Sequence, residues 1–175
     1  MKKISLHHIL FVVLLGLSFG CQRDDICPAS VDTTPFLVIR FYENQDPFEP
    51  KAPQNLSVRS LENDTTYFYY RFSQDSIAIP LKTDNDVTDF VFTLNTPAPP
   101  VEGEDPETTG NSDTLSFSYG REEEYINRAC AFKINYVALK TSIEPEPDGE
   151  TWIKDIRIEQ ANIENENQAH VSIFF

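Results

Sequence analysis

The sequence predicts an all-β protein: an antiparallel β-sandwich of about eight or nine short strands with one long acidic, proline-rich loop. Three observations carry this. Apolar and polar residues alternate with period two in one segment after another, as in half-buried strands. Turn-forming clusters (NQDPFEPKAPQN, EPEPDGE, IENENQ) separate those segments. No stretch sustains a capped helical pattern, and the best helical candidate, Arg121 to Ala129 (REEEYINRA), would make one or two turns.

Phe36 to Tyr42 (FLVIRFY) is β-branched and aromatic and opens the series. Leu56 to Leu61 and Thr66 to Phe72 (TYFYYRF) follow. In the latter, alternation puts Tyr67, Tyr69 and Arg71 on one face and Phe68, Tyr70 and Phe72 on the other. Phe68 and Phe72 suit the core, which leaves Tyr67 and Tyr69 as an exposed aromatic platform. Ser76 to Leu81 is short, with Pro80 near its end, where a strand tolerates it. VTDFVFTLN carries Phe90, Phe92 and Leu94 on one face, and TLSFSYG sets Leu115, Phe117 and Tyr119 against Thr114, Ser116 and Ser118. CAFKINYVAL alternates Cys130, Phe132, Ile134 and Tyr136; WIKDIRIE groups Trp152, Ile156 and Ile158; AHVSIFF closes the chain. Between them, residues 96–113 hold four prolines, many acids and nothing to bury. Such a segment cannot repay the entropy of ordering, so a mobile loop is expected.

The N-terminus reads as an address. Lys2 and Lys3 precede an apolar run from Ile9 to Leu17, and Ser18, Phe19 and Gly20 lead to Cys21. This is the build of a signal peptide, and the run is shorter than the roughly 18–20 residues of a spanning helix. A thiol at the cut resembles a lipobox. Gly20 fits it, and Ser18 stands where leucine is preferred, with Leu17 one step out. Residues 1–20 are then a lipoprotein signal peptide and Cys21 the lipid attachment site. Two or three acyl chains would hold the tether, since each buried methylene contributes about 0.8 kcal/mol. Gln22, Arg23, Asp24 and Asp25 resemble the acidic export signal of surface lipoproteins; the alternative is a solvated spacer. Residues 21–34 form the tether and 35–175 a single β-sandwich domain.

The chain carries a formal charge of −14. Loss of Lys2 and Lys3 leaves 12 basic against 28 acidic residues, a net −16. That argues against nucleic acid and an anionic lipid surface as partners. One histidine, His170, remains beyond the leader, so a multi-histidine metal centre is not expected. The two other cysteines, Cys27 and Cys130, are expected to pair outside the cytoplasm. The loop they close is worth about 4–5 kcal/mol in the chain-entropy model. The alternative is two separate buried thiols.

Chemistry is sparse. His170 lies on a terminal strand with no nucleophile elbow nearby in sequence. Abundant carboxylates leave a glycosidase-like pair open, but nothing selects two of them. Asp84, Asp86 and Thr88 in TDNDVTD have calcium-loop spacing without the turn glycine or closing glutamate. The aromatic ending fits a small outer-membrane barrel, although most strand segments are short for one. No catalytic residue, metal ligand or cofactor is assigned.

Cys21, Cys27-Pro28, Thr34-Pro35, Phe41-Tyr42, Cys130 with Phe132, Trp152-Ile153 and His170 to Phe175 form a pattern. By it the chain resembles an uncharacterised family of small Bacteroidota envelope lipoproteins, a domain of unknown function; Ala131 stands where the pattern has glycine. The resemblance implies a β-rich envelope lipoprotein and no activity. The expectation is a non-enzymatic binding or structural module, lipid-anchored to the outer membrane and with surface display as one outcome. Its protein or glycan partner is unknown. The alternative functions are a small carbohydrate- or calcium-binding protein, then an envelope hydrolase.

Overall fold

In the computed structural model, residues 26–31, 33–46, 49–99, 110–144 and 150–175 are described, and the fold is all-β. Nine strands run in chain order: β1 (Leu37–Tyr42), β2 (Leu56–Ser60), β3 (Tyr67–Phe72), β4 (Ser76–Ile79), β5 (Val87–Leu94), β6 (Asn111–Asn127), β7 (Ala131–Glu144), β8 (Asp155–Ile158) and β9 (Val171–Phe174). They form two open sheets, of order β4-β1-β9-β8 and β3-β2-β5-β6-β7, not one closed barrel. The alternating faces meet in one core. Leu37, Ile39, Phe41, Ile77, Ile79, Val171 and Ile173 from the first sheet pack with Leu56, Val58, Phe90, Phe92, Leu115 and Phe117 from the second.

The sandwich differs from the expectation in several respects. β1 and β9 pair in parallel, with Ile39 opposite Val171 and Tyr42 opposite Phe174; every other pair is antiparallel. β6 and β7 are not short, at 17 and 14 residues. The expected helical turn at Arg121–Ala129 is instead mostly the far half of β6, up to Asn127, then the turn into β7. Its glutamates lie exposed on a two-stranded arm, where no apolar face is required.

The ends of the expected acidic loop are ordered, while residues 100–109 lie outside the described residues. Thr96 is buried, and Asn111 to Asp113 already belong to β6. Asp113 is fully buried, and its Oδ2 accepts the Ile153 N–H at 2.8 Å. It shares inward parity with Leu115 and Phe117, a signal readable in the sequence.

The two sheets are also tied by polar contacts. The Trp152 indole N–H donates to the Phe92 carbonyl at 3.1 Å, and the Tyr136 hydroxyl donates to the Leu81 carbonyl at 3.0 Å. Burial pushes the Tyr136 phenol up to about 12, so it remains a donor. Tyr69 of β3 covers the free edge of β4: its hydroxyl donates to the Ala78 carbonyl (2.9 Å) and accepts the Ala78 N–H (3.1 Å).

Tyr69→Phe removes the partner of both Ala78 groups. The fold should lose about 1–3 kcal/mol, the typical cost of unsatisfied buried polar groups. Urea unfolding measures it, and an unchanged midpoint would show that the contact does not join the sheets.

Candidate functional site

The arm of β6 and β7 is the most distinctive part of the surface. The turn at its tip is organised by Asn127, whose Oδ1 accepts the N–H groups of Ala129 and Cys130, both at 2.9 Å. Ala131 follows at φ 57°, a left-handed conformation that glycine adopts more easily.

Cys27 and Cys130 form a disulfide across a separation of 103 residues, with Cα atoms 4.7 Å apart. It fixes the start of the described chain to the tip of the arm. Further along, the Thr34 hydroxyl accepts the Ile134 N–H at 2.9 Å. Ile163 exchanges backbone bonds with Tyr136, and Leu139 N–H reaches Ala161. These contacts cover the outer edge of β7, which would otherwise offer itself to another strand.

Beside the staple lies an apolar tip. Tyr125 and Phe132 are 59% and 58% exposed, and their rings meet edge to face with centroids 5.2 Å apart. Ile26, next to Cys27, is 79% exposed. Glu124 sits on the same arm against Lys133 (3.1 Å) and the Asn135 amide (2.8 Å). The Asn135 bond, then Lys133, holds its carboxyl below the usual range.

The other residues singled out in the sequence are scattered. In TYFYYRF the faces are not as alternation predicts. Two register shifts against β2, with Arg71 at φ 51°, turn Tyr69 and Phe72 toward the core and leave Tyr67, Phe68 and Tyr70 exposed. The platform pair of Tyr67 and Tyr69 is thereby broken; Tyr67 packs instead against Tyr70, ring centroids 5.2 Å apart and planes tilted by 59°. Asp84, Asp86 and Thr88 do not converge: Asp86 accepts from Arg121 Nε at 2.7 Å, while Thr88 is buried and bonded to Lys82 N–H and the Tyr119 hydroxyl. No described group of three acids, histidines or cysteines is placed to hold a metal. Cys21 and Gln22 to Asp25 lie outside the described residues.

His170 is 2% exposed. Its Nδ1 accepts the Val38 N–H at 3.0 Å, and its backbone N–H donates to the Val38 carbonyl at 2.9 Å. The side chain thus continues the β1–β9 ladder where backbone pairing stops. With Nδ1 accepting, the ring proton sits on Nε2 and donates to the Asn165 carbonyl, 2.9 Å away. Burial lowers the His170 pKa, favouring this neutral form.

The class of protein this defines is a two-sheet, all-β module with a hairpin arm stapled to the segment that leads into its first strand. The chain belongs to a family of unknown function, DUF6452, whose model matches residues 55–175, from just before β2 to the last residue. No curated protein and no solved structure matches it.

The neutral His170 has a consequence for stability. Its folded pKa lies below the ordinary value near 6.5, so the unfolded chain binds a proton first as pH falls. Its contribution is complete above about pH 6.5 and declines as pH drops toward the folded pKa. Urea unfolding should show this loss in wild type, and a flatter, lower profile over the same window in His170→Gln. Parallel profiles would contradict the assignment.

Proposed function

We propose that this protein is a lipid-anchored module of the cell envelope, attached to the outer membrane through Cys21 and working by binding or structural association rather than catalysis. The observation that carries the reading is the Cys27–Cys130 staple beside an exposed Tyr125–Phe132 pair. Cys21 is six residues before Cys27, a span of about 20 Å at full extension. A lipid on Cys21 would therefore sit within that distance of the arm's tip. Tyr125, Phe132 and Ile26 would meet the interface, where aromatic rings with a polar tip or edge are favoured. The two sheets would then lie beyond the arm, with their outer faces open to a partner.

The non-catalytic reading draws on His170. Both of its ring nitrogens are committed to backbone bonds, so neither is free to move a proton for a substrate. The acidic surface is compatible with a tip seated on neutral lipid and would oppose approach to an anionic one.

Metabolic labelling with a clickable fatty acid, on wild type and Cys21→Ala, tests the anchor. Label on wild type alone is the expected result, with protease cleavage in intact cells if Gln22 to Asp25 act as an export signal. An unlabelled wild type would remove the lipoprotein reading.

A further inference from the structure

The outer face of the four-stranded sheet holds a second arrangement, built by register. Arg40 of β1 lies opposite Ser172 of β9, and Ser172 lies opposite Arg157 of β8. The three form one row across three strands, with the two arginine backbones about 10 Å apart, twice the strand spacing. The next row is Tyr42, Phe174 and Asp155. Tyr42 and Phe174 stack at 5.5 Å. The Arg157 guanidinium lies 4.5 Å from the Phe174 ring centroid, and that of Arg40 lies 5.8 Å from Tyr42. Around the rows is a hollow of about 460 Å³, lined also by Glu159 and Ala169.

Two guanidiniums facing one hollow are unexpected on a chain with twice as many acids as bases. Each has an aspartate neighbour, Asp75 at 3.6 Å and Asp155 at 3.3 Å. Those pairs are about half exposed, and pairs of that kind contribute little. Packing over Phe174 restrains the Arg157 guanidinium, whose Nε–H donates to Asp155 at 3.3 Å, so a carboxylate would bind its terminal N–H groups or displace that exposed bond, at a lowered ordering cost. Ser172 and Glu159 add acceptors for hydroxyl groups. Glu159 also places a negative charge at the rim, which disfavours a dianion such as phosphate and admits an acid of single charge.

We propose that this hollow binds a hydroxylated monocarboxylate, a sugar acid of the uronic type, with Arg40 and Arg157 clamping the carboxylate and Ser172 and Glu159 taking the ring hydroxyls. The proposal rests on the binding-module reading but not on the anchor, so an unlabelled Cys21 would leave it standing.

The test uses the full chain in detergent with ¹⁵N-labelled arginine, titrated with D-glucuronate, glucose and acetate in turn. The Nε–H signals of Arg40 and Arg157 should shift saturably with glucuronate at a Kd on the order of 1 mM, while glucose and acetate bind at least about ten-fold more weakly. Arg157→Lys loses the planar fork and should weaken glucuronate about ten-fold with an unchanged unfolding midpoint. No saturable shift in wild type would overturn the proposal. So would acetate or glucose binding as well as glucuronate, because the site would then lack either hydroxyl or carboxylate recognition. If Arg157→Lys fails to fold, the wild-type arginine signals still decide.

Discussion

The pairing of the first strand with the last is the constraint on which the fold depends. β9 lies inside the four-stranded sheet, between β1 and β8, and all four of its residues are buried. Val171 and Ile173 fill the core, while Ser172 and Phe174 sit beneath the arginines of the outer face. Its ends are closed by side chains. His170 extends the ladder to Val38 at one end. At the other, Phe175 packs edge to face on Trp152 and Phe41 under the Lys51 ammonium, 4.5 Å from its ring centroid. A parallel pair between sequence-distant strands closes the longest loop in the chain, so the sandwich is complete only when its final residues are in place.

The arm follows from the same architecture. β6 and β7 outrun the sandwich because β5 pairs with β6 only as far as Ser118. Beyond that point no third strand of the sheet pairs with them, and an isolated hairpin is marginal. The staple and the bond from Ile134 to Thr34 supply what the missing sheet would have given. The segment that steadies the arm is also the segment that leads back to Cys21. Under the proposed anchor, structural need and membrane address would share one stretch of chain.

Much of the fold was legible. Period-two alternation located all nine strands, because one face of each has a core to fill, and the two cysteines other than Cys21 left one pairing, with two separate thiols as the alternative. Parallel pairing of β1 and β9 was not legible, since nothing local in FLVIRFY or HVSIFF names a partner. The faces of TYFYYRF were misread because a bulge reverses parity and leaves no mark in composition. Arg121 to Ala129 looked helical because an exposed two-stranded arm need not alternate. The Arg40–Ser172–Arg157 row was beyond sequence reasoning: its members come from three strands, and only the register brings them together.

The central claim is that the staple sets the molecule's orientation, with the arm's tip at the bilayer and the arginine face away from it. Paramagnetic broadening from spin-labelled lipid, read on the lipidated chain in nanodiscs, measures that directly. The account predicts strong broadening at Ile26, Tyr125 and Phe132, fading along β6 and β7, with Arg40 and Arg157 unaffected. Broadening centred on the arginine face, or spread evenly over the surface, would contradict it.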